Sequence, residues 1–305
     1  MYTIRQGSRV SINAPAKLNL FLELLQRRAD GYHALETLMV PVNVYDSLSM
    51  TKRTDDQLNL SCDWSTGTDP TFRSALPPAE QNIVFKVLSL LRDAANRVDL
   101  GADVQLIKRI PAQAGLGGGS SDAAAALLLA NEAWELGWSQ NQLAELAAQV
   151  GSDVPFFLYH SLARCTGRGE IIEPLHWRGA LSFAIVKPTH GLSTPRVFQN
   201  TDIPTTARSS NPLVQALGEM NFRAIADGLF NRLQSAASKL TSWVEEIGTV
   251  MDSMSVLGHQ MSGSGTSYFA VCRNKRHARH VAAKLRATRL GQVFVATSTG
   301  PSMAS

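Results

Sequence analysis

The chain of 305 residues exceeds the usual size of one domain, which favours a two-domain protein. Apolar residues make up 44% of it and charged residues 18%, so a disordered or collagen-like protein is excluded. The formal net charge is +4 at pH 7, and the dispersed basic residues suit an anionic small molecule as well as nucleic acid. The densest basic stretch, from Arg276 to Arg289, has helical spacing and indicates a solvated helix face.

The cysteines and the N-terminal residues indicate where in the cell the protein is expected to be. The three cysteines, Cys62, Cys165 and Cys272, are widely separated and include no C-x-x-C pair, which argues against a zinc site or a redox dithiol. Residues 1–10 lack the apolar region of a secretory signal, and no stretch approaches the roughly 18 apolar residues of a membrane span. We therefore expect a cytoplasmic protein with no membrane partner.

Predicted elements in the first third of the chain begin with two strand regions. β-Favouring residues at 9–25 and 38–50 predict these strands. A small-polar, proline-containing segment, 61–80, predicts a surface loop. Apolar residues at helical spacing predict a helix over 82–96, and a strand follows at 104–110.

The next segment, Pro111-Ala-Gln-Ala-Gly115-Leu-Gly-Gly-Gly119-Ser-Ser-Asp122, leads into an alanine- and leucine-rich stretch. Glycine in a helix interior costs about 1 kcal/mol relative to alanine, so we expect all four glycines to precede the helix. Ser120, Ser121 and Asp122 are then its N-cap and first-turn residues. The pattern predicts a strand, a glycine-rich loop and a capped helix. A second helix should begin after Ser139 and end at Gly151.

Such a loop is suited to binding phosphate. A helix N-terminus offers unpaired N–H groups and partial positive charge, and glycines let the backbone approach a ligand closely. The hydroxyls of Ser120 and Ser121 can donate to phosphate oxygens or face Mg²⁺. A P-loop is excluded because the chain contains no Gly-Lys dipeptide, and Ser120 stands where G-x-G-x-x-G requires its last glycine. The alternative is a flexible linker that precedes a helix.

Strands and helices do not alternate strictly in the second half, so an α+β fold is favoured over a doubly wound parallel sheet. The predicted elements are a strand at 181–187 that opens a second domain, helices within 213–257, a glycine-bearing turn at 258–265, a strand at 268–272, a helix at 275–287, a strand at 292–296 and a small polar tail.

Three motifs resemble those of the GHMP kinases, the superfamily of galactokinase, homoserine kinase and mevalonate kinase. They are Ala14-Pro-Ala-Lys17-Leu-Asn19-Leu20, the glycine-rich segment 111–122, and Ser262-Gly263-Ser264-Gly265-Thr266. They occur in this order and span almost the whole chain. The resemblance implies an N-terminal ATP-binding domain, 1–178, and a C-terminal domain, 179–305, that completes the substrate cleft.

The resemblance also implies that ATP binds with Mg²⁺ as a co-substrate, without a P-loop, and that there is no tightly bound cofactor. Asn82 and Lys108 match positions that contact adenosine in relatives, although both are otherwise ordinary surface polar residues. Ser121 is the candidate Mg²⁺ ligand. The implied ATP-binding residues are Pro111, Gly115, Leu116, Gly117, Gly118, Gly119, Ser120, Ser121, Asn82 and Lys108, and the substrate side of the site includes Asn19, Ser262, Gly263, Ser264 and Gly265.

Phosphoryl transfer to an alcohol requires a positioned hydroxyl, charge neutralisation and an acceptor for the proton. On sequence alone, Lys17 beside an apolar strand is a typical surface lysine, and Asp153 in Gly151-Ser-Asp153-Val-Pro-Phe-Phe is a typical turn residue. The family resemblance implies instead that Asp153 is the general base and that Lys17 is its partner.

A narrower resemblance rests on Arg28-Ala-Asp30-Gly31-Tyr32-His33, which is typical of the diphosphocytidyl-methylerythritol kinases. Tyr32 offers a stacking face and His33 offers hydrogen bonds, as recognition of a pyrimidine requires, although Asp-Gly is also an ordinary turn. The same resemblance makes Phe198 the second face of a cytosine sandwich and puts Thr194 near the substrate. Arg196 departs from the family pattern.

The implied ligands are therefore ATP and a small-molecule cytidine diphosphate substrate. We expect no nucleic-acid partner, and a monomer or weak homodimer. Two alternatives stay open: another GHMP kinase of the homoserine or mevalonate type, or an inert GHMP-fold sensor that binds ligand without turnover. Retention of Lys17, Asp153 and the full glycine-serine loop argues against the sensor.

Overall fold

The structure, a computed structural model, describes residues 1–177, 179–189 and 191–299. The predicted polar tail begins within these residues, and its last part, 300–305, lies outside them. The described strands are β1 (Ile4–Gln6), β2 (Arg9–Arg27), β3 (His33–Lys52), β4 (Leu58–Trp64), β5 (Ala102–Lys108), β6 (Ala163–Thr166), β7 (Ile171–Pro174), β8 (Ser182–Pro188), β9 (Phe230–Asn231), β10 (Gly258–Met261), β11 (Tyr268–Cys272) and β12 (Gly291–Thr297). The described α-helices are α1 (Ile83–Ala94), α2 (Gly118–Ala133), α3 (Gln140–Val150), α4 (Val154–Tyr159), α5 (Thr194–Gln199), α6 (Asn211–Gly218), α7 (Phe222–Asp227), α8 (Leu233–Leu240), α9 (Trp243–Asp252) and α10 (Lys275–Thr288).

The chain divides into two compact units. The first contains 1–16, 44–112 and 117–160, and the second contains 17–43, 113–116 and the described residues from 161 onward. The long strands β2 and β3 each contribute residues to both units. The division into domains 1–178 and 179–305 stays a prediction, and Arg178 lies outside the described residues.

In the first unit, antiparallel and parallel pairing occur side by side. β1 pairs antiparallel with β2, β3 pairs antiparallel with β5, and β5 pairs parallel with β4. The helix α1 buries a stripe of apolar residues at helical spacing and packs against α2, which in turn packs against α4. The residues of this stripe are Val84, Val87, Leu88 and Leu91.

In the second unit, a four-stranded antiparallel sheet has the order β10-β11-β8-β12. Every residue of β8 is buried, because one sheet neighbour lies on each side and α10 packs against the strand. The buried stripe of α10 is Ala278, Val281, Ala282 and Leu285, which leaves its basic residues outside the core as expected. The α+β prediction is confirmed by this mixture of sheets and helices.

Two predicted loops are partly wrong. Residues 58–64 form β4, whose alternating exposure leaves polar side chains in solvent and therefore hides the strand in the sequence. Residues 258–261 form β10, so the second glycine-bearing turn begins only at Ser262. Both strands are defined by pairing with a neighbour, which the local composition does not reveal.

Candidate active site

The glycine-rich segment leads into α2, but the helix begins earlier than predicted. Gly117 is the N-cap with φ 70°, in the left-handed region that favours glycine, and Gly118 and Gly119 are already helical. The prediction that Ser120 to Asp122 open the helix is therefore wrong. The cost of glycine applies to helix interiors, whereas first-turn N–H groups have no partner within the helix. The first intrahelical bond runs from Ser121 N–H to Gly117 O, at 2.9 Å.

Ser121 follows in the first turn of α2. Its side chain is completely buried, and its hydroxyl has no hydrogen-bond partner among the residues that the structure describes. Buried polar groups are normally hydrogen-bonded, so such a hydroxyl is suited to a ligand at the helix N-terminus.

A buried ionic cluster lies beside this helix N-terminus. The Lys108 ammonium donates to Asp46 and to Asp122, and a Cβ built on Gly118 would lie 3.4 Å from Lys108 Nζ. Asp46 also accepts the N–H of Ile110 at 2.8 Å. The cluster thereby ties the end of β5 to the N-terminal part of α2.

The pKa values in this cluster reflect burial and pairing together. Burial lowers the pKa of Lys108, but the charges and hydrogen bonds of Asp122 and Asp46 outweigh burial and raise that pKa above its ordinary value. Burial, aided by the charge of Asp46, raises the pKa of Asp122 well above its ordinary range despite Lys108. Lys108 therefore stays charged over the whole physiological range.

Asn82 and Lys108 are buried, so they are not the ordinary surface residues of the alternative interpretation. The Asn82 side chain accepts the N–H of Val84 at 2.9 Å and caps α1. Pro111 is also buried, three residues after Lys108. The sequence analysis did not predict Asp46 as part of the site. The signal available for it was an acidic residue inside an apolar strand.

Asp153 lies at the N-cap position of α4, two residues after the C-cap of α3. Its side chain makes no capping hydrogen bond to α4. Asp153 lies in the turn between α3 and α4, and its role as a general base stays a prediction. Asp153 belongs to the first unit, whereas Lys17 belongs to the second.

Lys17 in β2 is 4% exposed, so it is not a surface lysine. Its ammonium donates to Asn19 Oδ1 at 2.6 Å, and the Asn19 amide donates to Thr37 Oγ1 at 2.9 Å. Thr37 in turn donates to the carbonyl of Phe21 at 2.6 Å. This chain of hydrogen bonds fixes the side chains of Lys17 and Asn19. Thr37 was not predicted, because its role depends on the pairing of distant residues.

All three predicted motifs contribute to the second unit around Lys17. Its backbone N–H donates to Leu116 O at 2.9 Å, and Ser262 Oγ donates to Gly115 O at 3.1 Å. A Cβ on Gly115 would lie 2.3 Å from the carbonyl oxygen of Ser262, so only glycine allows this approach. A Cβ on Gly263 would lie 3.3 Å from Lys17 Nζ.

The rest of the third motif contacts α5. The hydroxyls of Ser264 and Thr194 are 2.8 Å apart. Gly265 has φ 91° and donates its N–H to Ser262 O at 3.0 Å, closing the turn. The predicted substrate residues Thr194 and Ser264 are thus brought together. Arg196, in the same helix, is exposed.

Two of the predicted base-binding residues, His33 at the start of β3 and Phe198 in α5, are neighbours, and Tyr32 precedes His33 in the chain. The rings of His33 and Phe198 are 5.6 Å apart and tilted by 33°. Tyr32 is 55% exposed, and the Arg168 guanidinium lies 5.0 Å from its ring centroid. Two aromatic side chains and a histidine on neighbouring elements supply both stacking surfaces and polar ring atoms.

Comparison with known proteins identifies the class. Residues 82–161 match the model of the GHMP kinases N terminal domain, and residues 213–289 match that of the GHMP kinases C terminal domain. The structure of homoserine kinase from Cytophaga hutchinsonii has a TM-score of 0.75 and 18% identity, covering 98% of this chain and 97% of that one, which shows a shared fold. The chain is therefore a GHMP kinase, an ATP-dependent small-molecule kinase.

Two further relatives define the family within this class. A protein from Pelotomaculum thermopropionicum named 4-diphosphocytidyl-2-C-methyl-D-erythritol kinase is 38% identical over 277 residues, which cover 90% of this chain and 93% of the relative. A crystal structure of 4-(cytidine 5'-diphospho)-2C-methyl-D-erythritol kinase has a TM-score of 0.79 and 31% identity, covering 95% of this chain and 99% of that one. The chain belongs to the 4-diphosphocytidyl-2-C-methyl-D-erythritol kinase family, so both resemblances drawn from the motifs are confirmed.

Within the described ranges, none of the helices offers the length of apolar sequence that a bilayer-spanning helix requires. In the same ranges, no three or more His, Cys, Asp or Glu residues are grouped as they would be to hold a metal ion.

Proposed function

We propose that this kinase transfers the γ-phosphoryl group of ATP to the 2-hydroxyl of 4-diphosphocytidyl-2-C-methyl-D-erythritol, in the non-mevalonate route to isoprenoid precursors. The observation that carries the proposal is the similarity to relatives of that name along nearly their whole length. The relative from Brevibacillus brevis, for example, is 35% identical over 294 residues, which cover 96% of this chain and 97% of the relative. We further propose a cytoplasmic enzyme that works as a monomer or weak homodimer.

The proposed mechanism assigns proton removal to Asp153 and charge compensation to Lys17. Asp153 accepts the proton of the substrate hydroxyl as that oxygen attacks the phosphoryl group. Two observations support these roles. The Asp153 side chain does not cap α4, and the Lys17 ammonium is held by Asn19 within a buried hydrogen-bonded chain. A side chain fixed in this way stabilises developing charge without reorganising during the reaction.

ATP is proposed to bind with its phosphates at the N-terminus of α2. The N–H groups of the first turn and the helix dipole favour an anion there, and Gly118 and Gly119 place no side chain at the first two positions of that turn. Lys108 adds a buried positive charge, because its pairing with Asp122 and Asp46 raises the pKa of the ammonium above its ordinary value. We propose that residues 1–178 carry ATP binding.

Mg²⁺ is proposed to accompany ATP. The buried Ser121 hydroxyl is unpaired among the described residues, so it can serve as an oxygen ligand. Mg²⁺ prefers oxygen ligands, and phosphate oxygens would supply most of the others. When bound, the ion neutralises phosphate charge. Ser121 would hold it, while the first-turn N–H groups orient the phosphates.

The cytosine base is proposed to stack on Tyr32 and Phe198, with His33 hydrogen-bonding its polar edge. The His33 and Phe198 rings are neighbours, and Tyr32 presents more than half of its surface to solvent. Thr194 and Ser264, which are hydrogen-bonded to each other, supply hydroxyls on the substrate side of the site. Binding energy from the base would then position the distant reacting hydroxyl.

Steady-state kinetics on three compounds test the proposal: the cytidine substrate, its uridine analogue and the base-free methylerythritol phosphate. We expect kcat/KM to fall by at least about tenfold for the uridine compound and further for the base-free one, because an unpaired polar edge is penalised and the base no longer aids positioning. Equal kcat/KM for all three would contradict the cytosine site. No turnover of any of them, with turnover of homoserine or mevalonate, would reassign the substrate class.

A further inference from the structure

The hairpin that joins β6 to β7 reaches the ring of Tyr32. Its turn is Gly167-Arg168-Gly169-Glu170, between the end of β6 and the start of β7. The carbonyl of Gly167 accepts the N–H of Leu35 at 2.9 Å, which ties the turn to the strand that follows Tyr32. The turn therefore has a fixed position relative to the start of β3.

Arg168 is itself held within this turn. Its backbone N–H donates to Glu170 Oε2 at 2.6 Å, and its guanidinium lies 3.7 Å from Glu170 Oε1. Gly167, with φ 72°, leaves room for this arrangement, because a Cβ there would lie 2.9 Å from Glu170 Oε2. The Glu170 carboxylate thus braces both the backbone and the side chain of Arg168.

The braced guanidinium lies over one face of Tyr32, 5.0 Å from the ring centroid. The backbone N–H of Tyr32 donates to Asp30 Oδ1 at 3.1 Å, which restrains the backbone that carries the ring. Tyr32 is 55% exposed, so few packing contacts restrain its ring. A cation–π contact on one face holds the ring while the opposite face stays available to a ligand.

We propose that Arg168 is a positioning residue for Tyr32, which holds the Tyr32 ring in the orientation that stacks on the cytosine base. This inference rests on the proposed function and deepens it. A ring that is ordered before binding loses less conformational entropy when the base stacks on it. Arg168 would therefore affect substrate binding without touching the phosphoryl transfer step.

Steady-state kinetics of Arg168→Met in the full-length enzyme test this role, since methionine keeps an unbranched apolar stem and removes the guanidinium. We expect KM for the cytidine substrate to rise about three- to tenfold, while kcat and the KM for ATP stay within about twofold. In a Tyr32→Ala background, Arg168→Met should add nothing further, because its effect acts through the ring. Unaltered thermal unfolding is checked first.

The matched control is Arg164→Met in the same hairpin, because Arg164 pairs with Glu36 and Glu173 instead of with Tyr32. It should leave KM for the cytidine substrate unchanged. An equal rise in this control would assign the effect to hairpin stability and overturn the inference. If Arg168→Met does not fold, Arg168→Gln carries the same test, because glutamine also removes the cation; the same rise in KM of about three- to tenfold is expected, and no rise would overturn the inference.

The outcomes separate this inference from the proposed function. A raised KM in Tyr32→Ala with an unchanged KM in Arg168→Met would overturn the role of Arg168 and leave the cytosine site standing. An undiminished effect of Arg168→Met in the Tyr32→Ala background would mean that Arg168 acts on the substrate without the ring. An unchanged KM in Tyr32→Ala would remove the cytosine site itself.

Discussion

The proposed phosphate-binding and base-binding parts of this kinase hold their functional groups in opposite ways. Beside α2, Lys108 is buried between Asp46 and Asp122, so the cluster is also part of the core of its unit. At the start of β3, Tyr32 is mostly exposed and Arg168 is only partly buried. Substitutions in this buried cluster should therefore change folding and activity together, whereas those at the base-binding part should change substrate binding alone.

The largest effect is expected from Lys108→Met, which leaves the buried Asp46 and Asp122 without their cation. Removing one partner of a buried ion pair typically costs about 3 to 5 kcal/mol, so the free energy of unfolding should fall by about that amount. Denaturant unfolding without ATP measures it. The matched control is Arg53→Met, whose partners Asp55 and Asp103 are solvent-exposed, and it should change stability little. Similar losses in both variants would contradict the distinction between buried and exposed clusters.

The next largest effect is expected from Asp153→Asn, which keeps the shape of the side chain and removes its basicity. We expect kcat to fall by at least about 10²-fold with ATP affinity preserved, because proton transfer and not nucleotide binding is lost. Turnover rates and ATP titrations measure the two quantities. Asp93→Asn, at an exposed position of α1, is the control. Turnover near that of the unmodified enzyme would remove Asp153 from the mechanism.

The sequence could predict features that depend on neighbouring residues, but not those that depend on pairing between distant residues. Motifs are local, so the helix from Ser139 to Gly151 was predictable from its capping box and its end. Lys108 and Asp46 are 62 residues apart, and no local pattern encodes their pairing. The start of α2 at Gly118 was missed because the cost of glycine applies to helix interiors and not to a first turn, whose N–H groups have no partner within the helix.

At the base-binding part, Tyr32→Ala and Phe198→Ala should each raise KM for the cytidine substrate by roughly ten- to a hundredfold, because stacking contributes about 1 to 3 kcal/mol per aromatic face. The KM for ATP should hardly change. His33→Ala should additionally weaken discrimination against the uridine analogue. Tyr2→Ala is the control, since Tyr2 is 65% exposed and lies in the first unit. If these three base-site variants lost as much stability as Lys108→Met, the proposed difference between a buried phosphate-binding part and an exposed base-binding part would be wrong.

A smaller effect is expected from Ser121→Ala. Its hydroxyl is unpaired among the described residues, so removing it should leave the free energy of unfolding unchanged or slightly higher. If the hydroxyl serves Mg²⁺ and phosphate, kcat/KM for ATP should fall about tenfold and recover partly at higher Mg²⁺. Ser89→Ala is the control, because the Ser89 hydroxyl donates to Phe85 O at 3.1 Å. Unchanged kinetics over a Mg²⁺ titration would exclude Ser121 as a ligand.

The smallest effect is expected at Gly119, where folding and nucleotide binding can be separated within the first part. A Cβ on Gly118 would lie 2.9 Å from Ile110 Cγ2, so Gly118→Val should destabilise the fold as well as weaken ATP binding. A Cβ on Gly119 would meet only Ile83 Cγ2, at 3.9 Å, and alanine is the better helix former. Gly119→Ala should therefore keep or raise the melting temperature while it raises KM for ATP about three- to tenfold, because the methyl group narrows the approach of phosphate to the first-turn N–H groups. Thermal unfolding and ATP kinetics on both variants measure the two effects. An unchanged KM for ATP in a stable Gly119→Ala enzyme would exclude the backbone of this turn as the phosphate-binding surface.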